Sequence, residues 1–399
     1  MTDDETSRLV EGRIDKLLSA CDPARDRPET IWGCQFDLGL AWVHFPAGLG
    51  GLDVDPGFQQ VVDERLTAAG VPSNLYRNLM GVGMAAPTIV AFGTEEHRSW
   101  LRLAFTCEQI WCQLFSEPVA GSDVAGLATR AVRDGDGWVV NGQKVWTTLA
   151  HIADKGLLLA RTDPDVPKHE GLTFFIVDMH SPGVETRPLR QLTGDAEYNE
   201  VFFTDVYVPD TDRLGAVGDG WRVALATLAN ERVAIGGTSR RARGAGPIGR
   251  AVEIWQRRRD QTPVLRDELM RCWVAAEVLR LTALRAEHSR ERGTPGPEGS
   301  ILKLATGLTE QAIYDLCLTL LGPDATLVSN YDFCQPDTVS MSLADPGADV
   351  VKAFLTVQCA TIGGGTSAVM RNLIGERVLG LPGDVRVDRD VAWSQVPRG

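Results

Sequence analysis

The hydrophobic pattern of this chain changes its period twice, and this change most constrains the possible fold. In residues 1–110 and again in residues 218–399, apolar residues recur at the three- and four-residue spacing of helices. Residues 111–217 instead contain short apolar runs between turn residues, without helices between them. A doubly wound sheet alternates strands with helices, so this order excludes it. The sequence predicts an α+β multidomain protein with an N-terminal α-helical domain, a middle β domain and a C-terminal α-helical bundle domain.

The middle segment carries the clearest strand signals. Residues 129–133 and 138–141 flank the sequence Asp-Gly-Asp-Gly, which is typical of a tight hairpin. Further apolar runs follow at 156–161, 172–177 and 201–208. Because short strands follow one another at this spacing, we expect an antiparallel β-barrel or sandwich.

Two apolar stripes indicate long helices in the C-terminal segment. One recurs at Val274, Val278 and Leu281, and a second runs from Ile313 to Leu320. Stripes of this spacing are typical of helices that pack their apolar faces together. We therefore predict a four-helix bundle.

A Gly-x-Gly-x-x-Gly sequence occurs within this helical segment, at Gly244, Gly246 and Gly249. A dinucleotide-binding fingerprint requires a buried strand before its glycines, but residues 239–243 contain three arginines. We interpret the motif as a glycine-rich helix or turn.

Charge and composition exclude several classes of protein. The 399 residues carry 53 acidic and 40 basic side chains, a net charge of −13, which argues against a dedicated nucleic-acid binder. Apolar runs are too short to span a membrane and the N-terminus is polar, so we expect a cytoplasmic protein. The 8 cysteines and 6 histidines lack the close spacing of metal sites, so we expect reduced thiols and no metal.

Two neighbouring segments combine hydroxyl, glycine and tryptophan side chains. Residues 112–123 read CQLFSEPVAGSD, and residues 141–148 read NGQKVWTT. Backbone N–H groups around Gly121 are suited to bind a phosphate, and Trp146 offers a flat apolar ring. This set suits a planar cofactor with a diphosphate tail. An exposed turn and a core tryptophan are the alternative interpretation.

These segments belong to an ordered set of motifs that resembles the acyl-CoA dehydrogenase family of flavoproteins, in its actinobacterial branch. The matching segments are 45–54, 86–97, 114–123, 136–148, 201–209, 218–232 and 363–382. Residues 114–123 resemble the family's Thr-Glu-Pro-x-Ala-Gly-Ser-Asp signature, and residues 136–148 resemble its Gly-x-Lys-x-Trp-Ile-Thr-Asn strand. The resemblance covers nearly the whole chain.

The resemblance implies FAD as the cofactor and α,β-dehydrogenation of an acyl-CoA to its trans-2-enoyl thioester. The FAD contacts that it implies are Leu114, Phe115, Ser116, Gly121, Ser122, Trp146, Thr147, Thr148, Thr366 and Ser367. The substrate contacts that it implies are Ser122, Arg232 and Gly364. In this arrangement Ser116 and Thr148 place hydroxyls near flavin N5, and Trp146 lies against the isoalloxazine. The backbone N–H of Gly364 would bind the thioester oxygen and stabilise the enolate.

The resemblance also suggests where the base that removes the α-proton is found. Many family members carry a glutamate at the position of Gly364, and a glycine cannot accept a proton. Other branches place the base in a Glu-Arg pair that corresponds to Glu231 and Arg232. We predict that Glu231 is the base, with a pKa raised by a desolvated pocket and restrained by Arg232. A solvated helix carboxylate is the alternative interpretation of Glu231.

Two family motifs that contact FAD across a subunit interface are altered here. No Phe-Gly follows residues 257–261, and residues 319–323 replace a Gln-x-x-Gly-Gly turn. Homo- and hetero-oligomers, dimeric or tetrameric, therefore both stay open. The expected partners are an acyl-CoA or acyl-carrier thioester and an electron-transferring flavoprotein, with no nucleic acid or membrane. A non-catalytic partner subunit and a flavin oxidase or hydroxylase on the same fold are the alternatives.

Overall fold

The computed structural model describes residues 2–236, 242–291, 298–339 and 349–396. Its elements follow the predicted order of helices, strands and helices, which confirms the α+β multidomain fold class. Within these ranges, no helix is both long enough and apolar enough to cross a bilayer.

The N-terminal part consists of one long helix followed by shorter ones. They are α1 (Asp3–Ala20), α2 (Pro28–Asp37), α3 (Gln59–Ala68), α4 (Leu75–Met80), α5 (Ala86–Phe92), α6 (Glu95–Ser99) and α7 (Leu101–Phe105). α1 begins at a capping box, in which the Thr2 hydroxyl accepts the Glu5 N–H at 3.3 Å and the Glu5 carboxylate accepts the Thr2 N–H at 2.8 Å. Between α4 and α5, Gly81–Ala85 forms a π-helical turn.

The central sheet follows the N-terminal helices. Its strands are β1 (Trp111–Leu114), β2 (Arg130–Asp134), β3 (Gly137–Thr148), β4 (Lys155–Arg161), β5 (Leu172–Asp178), β6 (Val184–Pro188), β7 (Tyr198–Pro209) and β8 (Arg213–Leu214). Their order is β6-β7-β3-β2-β4-β5-β8, and β1 pairs with β4. The predicted hairpin forms from β2 and β3, where Gly135 adopts a φ of +58° that glycine tolerates.

The sheet is mixed and open, which corrects the expectation of an antiparallel barrel or sandwich. β1 runs parallel to β4, with Trp111 opposite Lys155, and β2 meets β4 in parallel at Arg130 and Arg161. A parallel pair requires a long crossover connection, which the β2–β3 hairpin and its flanking loops provide between β1 and β4. Short spacing between strands favours antiparallel neighbours, so the sequence pattern did not indicate this crossover.

The C-terminal part is helical and centres on one helix. Its helices are α8 (Gly220–Gly236), α9 (Pro247–Arg257), α10 (Pro263–Glu291), α11 (Glu298–Leu321), α12 (Val350–Val357) and α13 (Ser367–Arg377). α11 packs against α9, α10, α12 and α13. Ile313, Leu316 and Leu320 are buried in this packing, which confirms the stripe predicted on α11. Gly246 is the N-cap of α9, while residues 237–241 before the glycine motif lie outside the described residues.

The stripe predicted on α10 does not face the core. Val274, Val278 and Leu281 are 60%, 56% and 51% exposed. The other side of α10, with Leu269 and Ala283, is buried instead. Helical spacing shows that a face is apolar, but it does not show whether the same chain covers that face.

α8 lies between the N-terminal helices and the sheet. It packs against β5, α5 and the π-helical turn. The hydroxyls of Thr88 in α5 and Thr227 in α8 lie 3.0 Å apart, and both side chains are fully buried. One core cluster includes Phe174 of β5 together with Val223 and Ala224 of α8. The position of α8 is therefore set by two other parts of the fold.

Candidate functional site

The segment after β1 and the end of β3 are joined by direct contacts. The Val145 N–H donates to the Ser116 carbonyl at 2.9 Å, and the Lys144 ammonium donates to the Phe115 carbonyl at 2.9 Å. Leu114, at the end of β1, is fully buried. These contacts bring the two chemically distinctive segments of the sequence together, as the predicted cofactor set requires.

A buried ion pair that the sequence analysis missed anchors this junction. Lys144 Nζ lies 2.9 Å from Glu117 Oε1, and the two side chains are 0% and 5% exposed. The Glu117 carboxylate also accepts the N–H groups of Ala128 and Thr129, at 2.7 and 2.9 Å. Burial alone would raise the pKa of Glu117, but the attraction of Lys144 and these hydrogen bonds hold it below its usual value. Burial lowers the pKa of Lys144.

A break in the register of β3 places the Trp146 side chain on the surface. The register of β3 against β7 shifts between Lys144 and Thr147, and Trp146 adopts a φ of +60°. Such a backbone costs about 1–3 kcal/mol for a residue other than glycine, and strained residues of this kind cluster at ligand sites. The indole is 61% exposed and packs edge-to-face on Tyr198, with ring centres 6.1 Å apart. The alternative interpretation of Trp146 as a core residue is therefore wrong.

The two threonines after Trp146 differ in exposure. Thr148 is partly exposed, whereas Thr147 is fully buried opposite Asn199 of β7. The Thr147 carbonyl accepts the Asn199 side-chain N–H at 3.1 Å, and the Thr147 hydroxyl lacks a protein partner among the described residues. Of these two threonines, Thr148 is therefore the one whose hydroxyl faces the surface.

Residues 121–123 form an exposed turn, which we call the 121–123 turn. A side-chain carbon added at Gly121 would meet nothing within 4 Å, so there is open space beside the backbone. The N–H groups of Gly121 and Ser122 donate to no other atom in the described part of the chain. The preceding residue Ala120 is fixed, because it exchanges two backbone hydrogen bonds of 3.1 Å with Glu117. The turn therefore offers free N–H donors on a fixed base.

The C-terminal glycines turn the chain into α13. Gly364 and Gly365 adopt φ values of +65° and +93°, which favour glycine. Thr366 caps α13 by accepting the Val369 N–H at 3.1 Å, and Ser367 is the first residue of the helix. The free N–H groups of this helix start favour an anion.

The segment before these glycines lies within electrostatic range of the loop after β3. The Gly363 N–H donates to the Cys359 carbonyl at 2.9 Å, and the Leu149 N–H donates to the Glu197 carbonyl at 2.9 Å. Burial raises the pKa of the Cys359 thiol, and the nearby Glu197 carboxylate raises it further. The turn before α13 therefore lies near the loop around Glu197, which is hydrogen-bonded to Leu149 at the end of β3.

The predicted base lies on α8, but its side chain is outside the described residues. Glu231 and Arg232 belong to the helix Gly220–Gly236, and Glu231 comes four residues after Thr227 in it. The role of Glu231 therefore stays a prediction. Among the described residues, no cluster of three or more His, Cys, Asp or Glu could hold a metal ion.

Three family models match successive parts of this chain. They are the acyl-CoA dehydrogenase N-terminal domain at residues 1–105, the middle domain at residues 112–206 and the C-terminal domain at residues 218–379.

Curated relatives match most of the chain. Acyl-CoA dehydrogenase FadE34 of Mycobacterium tuberculosis is 40% identical over 350 residues, which are 87% of this chain and 45% of that protein. This chain thus spans less than half the length of FadE34. Acyl-CoA dehydrogenase IpdE1 of the same organism is 34% identical over 350 residues, which are 87% of this chain and 86% of that protein.

Solved structures share the fold over nearly the full length. The ChsE4-ChsE5 complex from Mycobacterium tuberculosis is similar with a TM-score of 0.70 and 28% identity, covering 96% of this chain and 99% of that chain. The Tcur3481-Tcur3483 steroid ACAD is similar with a TM-score of 0.71 and 23% identity, covering 96% and 99%. This second likeness concerns the fold alone.

Proposed function

The chain belongs to the acyl-CoA dehydrogenase family, in its actinobacterial-type branch, and from this premise we propose that it oxidises an acyl-CoA or related acyl thioester to the trans-2-enoyl thioester. FAD is the proposed hydride acceptor. The observation that carries the proposal is the outward ring of Trp146, joined through Val145 to Ser116, together with the free N–H groups of the 121–123 turn. This combination suits a flat ring system with a pyrophosphate tail.

The residues present fit FAD. The residues proposed to hold it are Leu114, Phe115, Ser116, Gly121, Ser122, Trp146, Thr147, Thr148, Thr366 and Ser367. Trp146 offers the flat surface, Ser116 and Thr148 offer hydroxyls, and the 121–123 turn and the start of α13 offer N–H groups for phosphate. Thr147 would contribute through its backbone, because its side chain is fully buried. When bound, FAD supplies the acceptor for the hydride that leaves the β-carbon.

In this proposal, residues of the chain itself remove the α-proton and bind the thioester oxygen. We assign proton removal to Glu231, because Gly364 occupies the other position from which family members supply a base. The Gly364 N–H would donate to the thioester oxygen and stabilise the negative charge that develops there. Ser122 and Arg232 would contact the thioester.

The acyl group and the final electron acceptor belong to the same proposal. IpdE1 and FadE34 are named as acyl-CoA dehydrogenases, which supports a CoA thioester over an acyl-carrier thioester. An electron-transferring flavoprotein is the proposed acceptor. The exposed apolar side of α10 supports an oligomer, and the ChsE4-ChsE5 complex supports a heteromer as one form of it.

An anaerobic titration tests the proposal. Purified protein of known FAD content is mixed with a panel of acyl-CoA thioesters without oxygen, and the flavin absorbance is followed. We expect at least one thioester to bleach the flavin, and Glu231→Gln to keep bound FAD without bleaching. Protein that binds no FAD would instead support a non-catalytic partner subunit. Rapid oxygen consumption with the same thioester would support an oxidase or hydroxylase.

A further inference from the structure

After α13 the chain returns to the central sheet, where residues 388–396 lie against the loop between β4 and β5. We call residues 388–396 the C-terminal tail. The backbone N–H of Trp393 donates to the Val166 carbonyl at 2.9 Å, and that of Ser394 donates to the Pro164 carbonyl at 2.8 Å. The Ser394 hydroxyl also donates to the Asp165 carboxylate at 3.0 Å. The tail is thus bound to the middle domain through its backbone.

Trp393 and Arg161 together hold a short turn of the middle domain. The Arg161 guanidinium lies 4.1 Å from the centre of the Trp393 ring and donates to the carbonyls of Ala125 and Leu127 at 2.6 and 3.1 Å. The Trp393 indole N–H donates to the Gly126 carbonyl at 3.2 Å. Arg161 is itself buried, so this contact is shielded from water. Three successive carbonyls are therefore fixed by groups from distant parts of the chain.

Lys168 connects the tail to the 121–123 turn itself. Its ammonium donates to both carboxylate oxygens of Asp123 at 2.9 Å and to the Asp388 carboxylate of the tail at 2.6 Å. Asp123 is the last residue of the turn, and Glu117 fixes its other end through Ala120. The turn is therefore held at both ends and open at Gly121 and Ser122.

We propose that the C-terminal tail is a positioning element of the ligand site, acting through Lys168 on the 121–123 turn and through Arg161 on the neighbouring residues 125–127. The chemical group that this turn would recognise is a pyrophosphate, because free N–H groups at a turn bind phosphate oxygens. The inference rests on the proposed function, in which FAD and the CoA thioester each carry a pyrophosphate.

The proposal has two linked consequences. A turn that is already held in its bound geometry needs little ordering when a ligand binds, so release of the tail weakens binding. Coupling between two sites is reciprocal, so a bound ligand also holds the tail more tightly against the sheet.

The test compares Trp393→Ala and Lys168→Met with Val387→Ala, a control whose side chain is 83% exposed next to the tail. Apoprotein of each variant is titrated with FAD, holoprotein is titrated with CoA, and circular dichroism checks folding. We expect about ten-fold weaker binding in Trp393→Ala and Lys168→Met, within the usual range of coupling between sites, and no change in Val387→Ala. Trypsin cleavage at the exposed Arg389 should be faster in both variants and slower when ligand is bound.

The outcomes separate the two ligands and the two proposals. If only FAD binds more weakly, the turn is assigned to the flavin dinucleotide. If only CoA binds more weakly, the turn is assigned to the thioester. Each of these two results supports the role of the tail. Unchanged binding of both ligands, with faster cleavage at Arg389, overturns the inference. If Lys168→Met does not fold, Asp388→Asn replaces it in the test, because this variant weakens the contact between Lys168 and the tail. A wild-type apoprotein that binds no FAD contradicts the proposed function instead.

Discussion

At the scale of single residues, the buried pair of Lys144 and Glu117 fixes the segment that carries Ser116. Lys144→Met should lower the free energy of unfolding by about 3–5 kcal/mol, because it leaves the Glu117 carboxylate buried without its partner. Urea unfolding measures this change. The matched control is Arg271→Met, which breaks an exposed ion pair of 2.9 Å with Asp267 and should change stability little. Equal losses in the two variants would contradict the role of the buried pair.

The same pair should make stability depend on pH. The folded-state pKa of Glu117 lies below its usual value of 4.5, because the attraction of Lys144 and its hydrogen bonds outweigh burial. The stabilisation by ionised Glu117 is thus complete above pH 4.5 and is lost as the pH falls through the lower folded-state pKa. The difference in unfolding free energy between wild type and Glu117→Gln should therefore shrink from neutral to acidic pH. Urea unfolding at a series of pH values measures it, and a constant difference would be the contrary result.

Trp146 allows stability and ligand binding to be separated. Trp146→Gly removes the exposed ring but suits a φ of +60°, so the relief of backbone strain and the greater freedom of glycine should nearly cancel. We expect stability within about 1 kcal/mol of wild type and about ten-fold weaker FAD binding, from the loss of aromatic stacking. Thermal unfolding and an apoprotein titration measure the two effects. Wild-type FAD affinity in this variant would remove Trp146 from the site.

Sequence reasoning could predict that the segments of Ser116 and Trp146 come together, because both match motifs of the family that the sequence resembles. It could not predict that Thr147 points inward, because a bulge in β3 shifts the alternation of side chains by one position. It also missed Lys144 and Glu117, since lysine and glutamate are rarely buried. The signal that could have revealed this pair is Lys144 itself, a lysine inside the strand that carries the matched motif of residues 136–148.

At the scale of elements, α8 is positioned by its contact with α5. Thr227→Val removes the buried hydrogen bond to Thr88, whose hydroxyl keeps its bond to the Met84 carbonyl at 2.7 Å. We expect a loss of about 1 kcal/mol in stability and a slower reduction of the flavin by thioester, with FAD affinity unchanged. Stopped-flow absorbance and an apoprotein titration measure these effects. The control is Thr282→Val on α10, whose hydroxyl donates to the Val278 carbonyl of its own helix at 2.8 Å.

The elements themselves were more predictable than their pairing. The hairpin of β2 and β3 follows from local turn residues, and its structure matches that expectation. The parallel pairing of β1 with β4 depends on a crossover of about forty residues, and no local sequence pattern indicates such a crossover. The core stripe of α11 was predicted correctly because Ile313 and Leu320 are covered within the same chain.

At the scale of the whole molecule, the three parts are joined by segments distant in sequence. The Val339 N–H donates to the Tyr76 carbonyl at 2.7 Å, and the Ala196 N–H donates to the Cys334 carbonyl at 2.7 Å. The C-terminal tail adds the contacts of Trp393 with the middle domain. A site assembled from the middle and C-terminal parts can therefore respond to changes far from the bound ligand.

We predict that the apolar side of α10 is where the molecule meets another subunit. Met270, Val274, Val278 and Leu281 are all exposed on one side of this helix, and apolar stripes of this kind mark interaction sites. Val278→Asp would place an unpaired carboxylate in that interface at a cost of about 3 kcal/mol or more. We expect the dissociation constant of the oligomer to rise at least about 100-fold, measured by light scattering over a dilution series. The control is Val385→Asp, because Val385 is exposed outside α10, and an equal rise there would exclude α10 as the interface.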